Sequence, residues 1–256
     1  MLHVLRILSC GYLVEKSENR VLFGGSELLV GELLSLKRLN VLSITLQGFS
    51  AVQKLMSSQK FQSCTKCLEL IDCDDSKSFA LAELKHLEKL VFRIVEEFKF
   101  CCVEVGKAQE CFRLNSFHRV NIKACHKLRD VTWLVFAPNL MVIQIEKCMQ
   151  MEAIISARKL GEIPEMMADL NPFAKLQYLR FRVLPKLKIV YWNESPFPHV
   201  REIIVSECPI LKKLSLNFNN AKESKIVIKG EEHWWNELQR EDEATVNAFL
   251  PYFGSI

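Results

Sequence analysis

The chain has 256 residues, 49% of them hydrophobic, and 34 Lys and Arg against 30 Asp and Glu leave a formal net charge of +4. So large an apolar share excludes a disordered chain, and charges mixed this evenly along it give no argument for nucleic acid as a partner. No uninterrupted apolar run approaches the roughly eighteen residues needed to span a bilayer.

In chain order, the first stretch reads Leu2-x-x-Leu5-x-Ile7-x-x-Cys10. It carries Arg6 inside its apolar run with no basic leader before it, so structure is expected there and not a signal peptide. Residues 11–31 form a polar, turn-rich excursion around Gly24-Gly25. Leu33, Leu36 and Leu39 lead into Leu39-x-x-Leu42-x-Ile44, which predicts a second strand with Leu42 and Ile44 turned inward, and residues 51–59 predict a short outer helix. The third strand keeps Leu68, Leu70 and Cys73 but has Thr65 in its first slot, and a turn is expected at Asp72, Asp74, Asp75 and Ser76. Leu84, Leu87, Leu90 and Phe92 make a well-formed fourth unit; residues 96–113, with Cys101, Cys102 and Cys111, read as an irregular outer segment.

The fifth unit is Phe117-x-x-Val120-x-Ile122-x-x-Cys125, followed by Leu128, Val131 and Leu134, which would cover the core from the outer side. The same frame returns as Leu140-x-x-Ile143-x-Ile145-x-x-Cys148, Leu176-x-x-Leu179-x-Phe181-x-x-Leu184 and Val200-x-x-Ile203-x-Val205-x-x-Cys208, then fades to Ile226-x-Ile228. A long connection carrying Gly161 and Pro164 separates the sixth and seventh units. Short steps, such as Val120 to Ile143, suit a repeat of about 20–29 residues, and the long steps must carry loops.

Alternation within each strand sends two apolar side chains inward and their neighbours to the opposite face. The fold class expected is therefore an α/β repeat solenoid: an irregular leucine-rich-repeat horseshoe, with a parallel β-sheet on the concave face and loops or short helices on the convex face. Residues 1–230 would hold about nine repeats as one domain. Residues 231–256 would cap them, with Trp234, Trp235, Leu238, Val246, Phe249 and Leu250 as apolar cover and Glu241, Asp242 and Glu243 toward water; no N-terminal cap is evident. Cys10, Cys73, Cys125, Cys148 and Cys208 occupy the last slot of the frame as small buried hydrophobes, a usage that suits a reducing compartment.

Several phrases are more specific than the frame. Leu128-Arg129-Asp130-Val131-Thr132-Trp133-Leu134, Ala137-Pro138-Asn139-Leu140, Leu184-Pro185-Lys186-Leu187-Lys188-Ile189, Cys208-Pro209-Ile210-Leu211-Lys212-Lys213-Leu214 and the tail His233-Trp234-Trp235-Asn236-Glu237-Leu238 run through most of the chain. Together they resemble the C-terminal repeats of plant coiled-coil nucleotide-binding leucine-rich-repeat (NLR) disease resistance proteins. That resemblance implies a cytoplasmic, non-catalytic recognition region, membrane-associated only through partners, that senses a pathogen effector or a guarded host protein and restrains the receptor's own NB-ARC ATPase module. No G-x-x-x-x-G-K-[ST] loop occurs, and Gly24-Gly25 lacks the lysine that would reach phosphate, so no ATP switch is assigned to this chain. A fragment, a truncated relative or a stand-alone module all remain open. From a different class, the alternative is an adaptor such as a ubiquitin-ligase substrate receptor.

For binding, Arg93, Lys123, Glu146, Arg182 and Ser206 follow the second inward residue of their strands, and Asn121, Gln144 and Arg180 lie between the inward pair. These rows predict a basic and polar concave patch for an acidic protein surface; the competing reading is ordinary solvated strand residues. Cys64-x-x-Cys67 with Cys73 has metal-ligand spacing but no second pair, Cys125-His126 would point to opposite faces, and the Asp72–Asp75 cluster lacks the spaced ligands and glycine of a calcium loop. No catalytic residue, metal, cofactor, small-molecule substrate or nucleic-acid partner is expected.

Overall fold

The computed structural model describes residues 2–8, 26–73, 83–95, 114–161, 171–191, 197–214, 216, 226–238 and 249–256. Within them runs one ten-stranded sheet whose spatial order is the chain order: β1 (Val4–Ile7), β2 (Val41–Gln47), β3 (Thr65–Ile71), β4 (Lys89–Arg93), β5 (Arg119–Lys123), β6 (Val142–Glu146), β7 (Tyr178–Arg182), β8 (Glu202–Ser206), β9 (Val227–Gly230) and β10 (Phe253–Ser255). Every neighbouring pair is parallel. Each repeat therefore stacks on the one before it, as a leucine-rich-repeat solenoid requires.

Period-two alternation builds the core. Ile44, Leu68, Leu90, Val120, Ile143, Leu179, Ile203 and Ile228 lie in one register column, and Leu46, Leu70, Phe92, Ile122, Ile145, Phe181 and Val205 in the next. All are buried, and they belong to one continuous cluster running the length of the array. Burying each such side chain contributes about 1.5–3 kcal/mol before the entropy of ordering it is subtracted.

A repeated turn ends the strands. Asp72, Ile94, Ala124, Lys147, Val183 and Glu207 follow β3 to β8 and share a left-handed backbone with φ between 52° and 57°. Their N–H groups are used laterally: Asp72 donates to the Arg93 carbonyl at 3.0 Å, Ile94 to Lys123 at 3.0 Å, Ala124 to Glu146 at 2.9 Å, Lys147 to Arg182 at 2.9 Å and Val183 to Ser206 at 2.9 Å. The turn then sends Cys73, Val95, Cys125, Cys148, Leu184 and Cys208 back under the sheet, where all are buried. The four thiols donate to the carbonyls two residues earlier over 3.3–3.6 Å.

On the other side of the core lie short helices. α1 (Ser26–Leu33) and α2 (Phe49–Met56) pack together, and α2 buries Ala51, Val52 and Leu55 on one stripe. α3 (Gln59–Cys64) starts at Ser58, whose side chain accepts from the Phe61 N–H, and it buries Phe61 and Cys64. A 3-10 turn over Thr132–Phe136 places Val131 and Leu134 in the core, with Leu128 packed half-buried against it. α4 (Ala157–Leu160) is a single turn.

Three strand frames differ from those read in the sequence; β1 follows β2, because Ile7 pairs with Ile44 and so stands in the first inward column in place of Leu5. In β2 the residues aligned with Leu68 and Leu70 are Ile44 and Leu46, not Leu42 and Ile44. Leu42, Ile44 and Leu46 are all buried, so three apolar residues with period two allow two frames, and the turn at Gly48 (φ 79°) decides between them. Near the end, Ile228 aligns with Ile203, which puts Lys229 between the inward positions and Gly230 in the second inward slot. Consequently Arg6, Ser43 and Val227 leave the row expected between the inward pair, and Thr45 and Lys229 enter it.

The segment 231–256 contributes both cover and strand. α5 (Glu232–Glu237) buries Trp234 and Trp235, and β10 pairs Phe253 with Ile228 and Ser255 with Gly230. Trp235 stacks on Phe253 with centroids 4.3 Å apart. The readings placed on Cys10, Gly24-Gly25, Asp74, Asp75, Ser76, residues 96–113, Pro164, Val246 and residues 241–243 lie outside the described residues.

Candidate protein-recognition face

The face of the sheet opposite the core carries three rows of side chains, because each strand turns the residues before, between and after its inward pair the same way. The middle row brings Glu69, Val91, Asn121, Gln144, Arg180 and Ile204 side by side on β3 to β8. The row after it holds Ile71, Arg93, Lys123, Glu146, Arg182 and Ser206. All eight residues singled out in the sequence thus occupy neighbouring positions on β4 to β8. The row before the inward pair, Cys67, Lys89, Arg119, Val142, Tyr178 and Glu202, was not counted in that reading. Its signal was available as the residue preceding each Leu90-like position.

Electrostatics divide the cations into two groups. Glu69 is buried; one oxygen accepts from the Thr45 hydroxyl at 2.9 Å and the other lies 2.5 Å from Arg93 Nε. Glu146 sits between Lys123 at 3.6 Å and Arg182 at 3.8 Å, and Arg182 also reaches Glu207 at 3.9 Å. Ser206 donates to Glu231 at 3.0 Å, and Lys229 pairs with Glu202 at 2.8 Å. The row containing Arg93, Lys123 and Arg182 is therefore largely neutralised from within. Among the described residues, no ion pair or hydrogen bond engages the side chains of Lys89, Arg119 or Arg180. Beside them Asn121 Oδ1 is buried without a hydrogen-bond partner.

The cysteines take separate places. Cys64 closes α3, Cys67 sits on the open face of β3, and Cys73 lies behind the turn after it; among the described residues no group of three or more metal-capable side chains converges. Cys125 is buried and His126 exposed. The hydrogen bond to the Cys148 thiol and burial together push the Cys125 pKa upward, and burial pushes Cys208 up to about 12. Thiols held protonated in this way are packing groups and poor nucleophiles.

A family model described as plant disease resistance protein RPS2-like, leucine-rich repeats, matches residues 99–222, which carry β5 to β8 and every phrase quoted above except the tail His233-Trp234-Trp235-Asn236-Glu237-Leu238. These are leucine-rich repeats of the plant disease resistance (NLR) type. Disease resistance protein SUMM2 of Arabidopsis thaliana is 32% identical, over 88% of this chain and 26% of its own length. Disease resistance protein UNI of the same plant is 33% identical, over 87% of this chain and 28% of its own length. The disease resistance repeat region described here thus spans about a quarter of the length of the curated relatives it matches. No helix among its described residues is long and apolar enough to cross a membrane.

Proposed function

We propose that this repeat region is a non-catalytic protein-recognition surface of a plant intracellular immune receptor. Acting in the cytoplasm, it senses a pathogen effector or a guarded host protein and restrains an NB-ARC ATPase module of its own receptor type. The observation that carries this reading is the three-row grid on β4 to β8, where Asn121, Gln144, Arg180, Arg182 and their neighbours stand on strands locked by parallel pairing. Side chains fixed on a rigid sheet lose little backbone entropy when they bind, which suits recognition of a protein surface. Around the grid the thiols of Cys125 and Cys208 are buried with raised pKa, a setting that favours packing over chemistry at those two groups.

The experiment is disruption of the gene in the source plant followed by challenge with a panel of pathogen isolates. Susceptibility to at least one isolate should rise, a wild-type copy should restore resistance, and a copy carrying Asn121→Ala, Gln144→Ala and Arg180→Ala should not, at equal protein level. Unchanged susceptibility across the panel, or full rescue by the triple variant, overturns the reading.

A further inference from the structure

Lys89 and Arg119 face each other in register on β4 and β5. Like charges directly opposite on a sheet oppose folding, and here no described carboxylate reaches either side chain. The carboxylates on this face are committed elsewhere: Glu69 to Arg93 and Thr45, Glu146 to Lys123 and Arg182, and Glu202 to Lys229. On β7, Arg180 likewise has no counterion among the described residues, and Tyr178 stands two residues before it, 39% exposed. Between the two cationic ends lies Val142 on β6, in register with both Arg119 and Tyr178.

We propose that the open face of β4 to β7 takes an extended acidic segment of a partner protein, carrying an apolar or aromatic side chain between two carboxylates. Lys89 and Arg119 hold one carboxylate, Arg180 holds the other, and the exposed ring of Tyr178, beside the 6% exposed Val142, receives the apolar side chain. This rests on the protein-recognition reading above and gives that partner a chemistry.

The spacing supports it. Strands stand about 4.8 Å apart, so the midpoint of β4 and β5 lies roughly 7 Å from β6 and roughly 12 Å from β7. In an extended segment crossing the strands, residues i, i+2 and i+4 point the same way at intervals of about 6.7 Å. Arg180 stands about 6.7 Å farther along β7 than Tyr178, so a segment running slantwise spans about 14 Å to it, and a carboxylate at i, an apolar residue at i+2 and a carboxylate at i+4 fall near the three features in turn. N–H donors of such a segment would also pass close to Asn121 Oδ1, which has no hydrogen-bond partner among the described residues.

The test uses the whole chain and a synthetic peptide, Gly-Glu-Ser-Phe-Ser-Glu-Gly, immobilised densely on a biosensor so that weak contacts register. Wild type should bind; Lys89→Glu with Arg119→Glu, and separately Arg180→Glu, should each weaken binding at least tenfold, while Lys123→Glu, whose cation is already engaged by Glu146, should change it less than threefold. Glu146→Gln frees Lys123 and Arg182 and should tighten binding, a gain that a misfolded variant could not produce. The neutral pair Lys89→Gln with Arg119→Gln removes the repulsion between the two strands, so it should weaken binding with the unfolding midpoint raised and not lowered. The proposal is overturned if wild type ignores the peptide, if the Gln-Ser-Phe-Ser-Gln counterpart binds within threefold, if Lys123→Glu loses as much as Arg180→Glu, or if a DNA duplex binds the same three cations as well. Loss of peptide binding with the plant phenotype intact removes only the acidic segment, whereas loss of the plant phenotype removes the recognition role beneath it.

Discussion

Gly230 gives the sharpest structural prediction. It occupies the second inward slot of β9, which β3 to β8 fill with large apolar side chains, and here the space belongs to the indole of Trp234. A Cβ on Gly230 would stand 2.5 Å and 2.6 Å from two indole carbons and 3.0 Å from the Val205 carbonyl oxygen. The ring cannot retreat cheaply, because Trp234 is 1% exposed and its Nε1 donates to the Leu211 carbonyl at 2.8 Å. Overpacking of this kind costs about 1–3 kcal/mol, and losing the buried hydrogen bond adds about 1 kcal/mol. Gly230→Ala should therefore destabilise by about 2–4 kcal/mol, or roughly 4–16 °C in Tm for a chain of this size. Since an array can lose its terminal repeats first, thermal melting should be joined by hydrogen exchange, which should speed up on β9, β10 and α5 and not on β4 to β6. In a Trp234→Leu background the same glycine change should cost less than about 1 kcal/mol. An alanine variant melting within about 1 °C of wild type would refute the reasoning.

Other consequences can be read from the turns and ion pairs. Ile94 and Val183 are β-branched residues held in a left-handed backbone, which Asn tolerates far better, so Ile94→Asn or Val183→Asn should raise stability by about 0.5–1 kcal/mol in urea titrations. A loss instead would mean that side-chain contacts outweigh the backbone strain. Arg93→Ala leaves the buried Glu69 carboxylate short of its cation and should cost about 1–3 kcal/mol, below the fully buried range because Arg93 is itself 29% exposed; Arg93→Ala with Glu69→Gln should recover part of that in a double-mutant cycle. With its pKa pushed up to about 12, Cys208 should react with iodoacetamide at pH 8 about a thousandfold more slowly than an exposed cysteine, judged by mass spectrometry of the labelled peptide. The same shift makes a pH prediction: the folded state keeps a proton that the unfolded thiol loses from about pH 9, so the contribution is whole below pH 9 and is lost as pH rises toward 12. Stability should fall by up to about 1.4 kcal/mol per pH unit in that window, and less steeply in Cys208→Ala.

The repeat was legible wherever the inward pair stood alone. On β5 the residues around the inward pair are all polar or charged, Arg119-Val120-Asn121-Ile122-Lys123, which leaves one frame, and the structure follows it. On β2 the run Leu42, Ile44, Leu46 has one apolar residue too many, and only Gly48, in the turn position, marks the register. β10 was illegible for a different reason. Phe253-Gly254-Ser255 has no leucine frame, and it becomes a strand because the exposed edge of β9 offers unpaired backbone groups and Trp235 offers a ring for Phe253 to stack on. At the candidate site, positions could be read but pairing could not: Glu69 and Glu146 reach their cations across strands 24 and 36 residues apart in sequence, as with Arg93 and Arg182.

This pairing changes what a charge on the open face means. Glu146 stands between Lys123 at 3.6 Å and Arg182 at 3.8 Å, so the charge those two cations present to a partner is already partly offset. A binding surface assembled from such rows does not scale with the number of cations written in the sequence. It depends on which rungs lack a carboxylate, and among the described residues of β4 to β7 these are the Lys89 and Arg119 pair and Arg180, three strands beyond Lys89. Single substitutions that exchange one carboxylate for an amide should thus retune recognition as strongly as substitutions of the cations themselves.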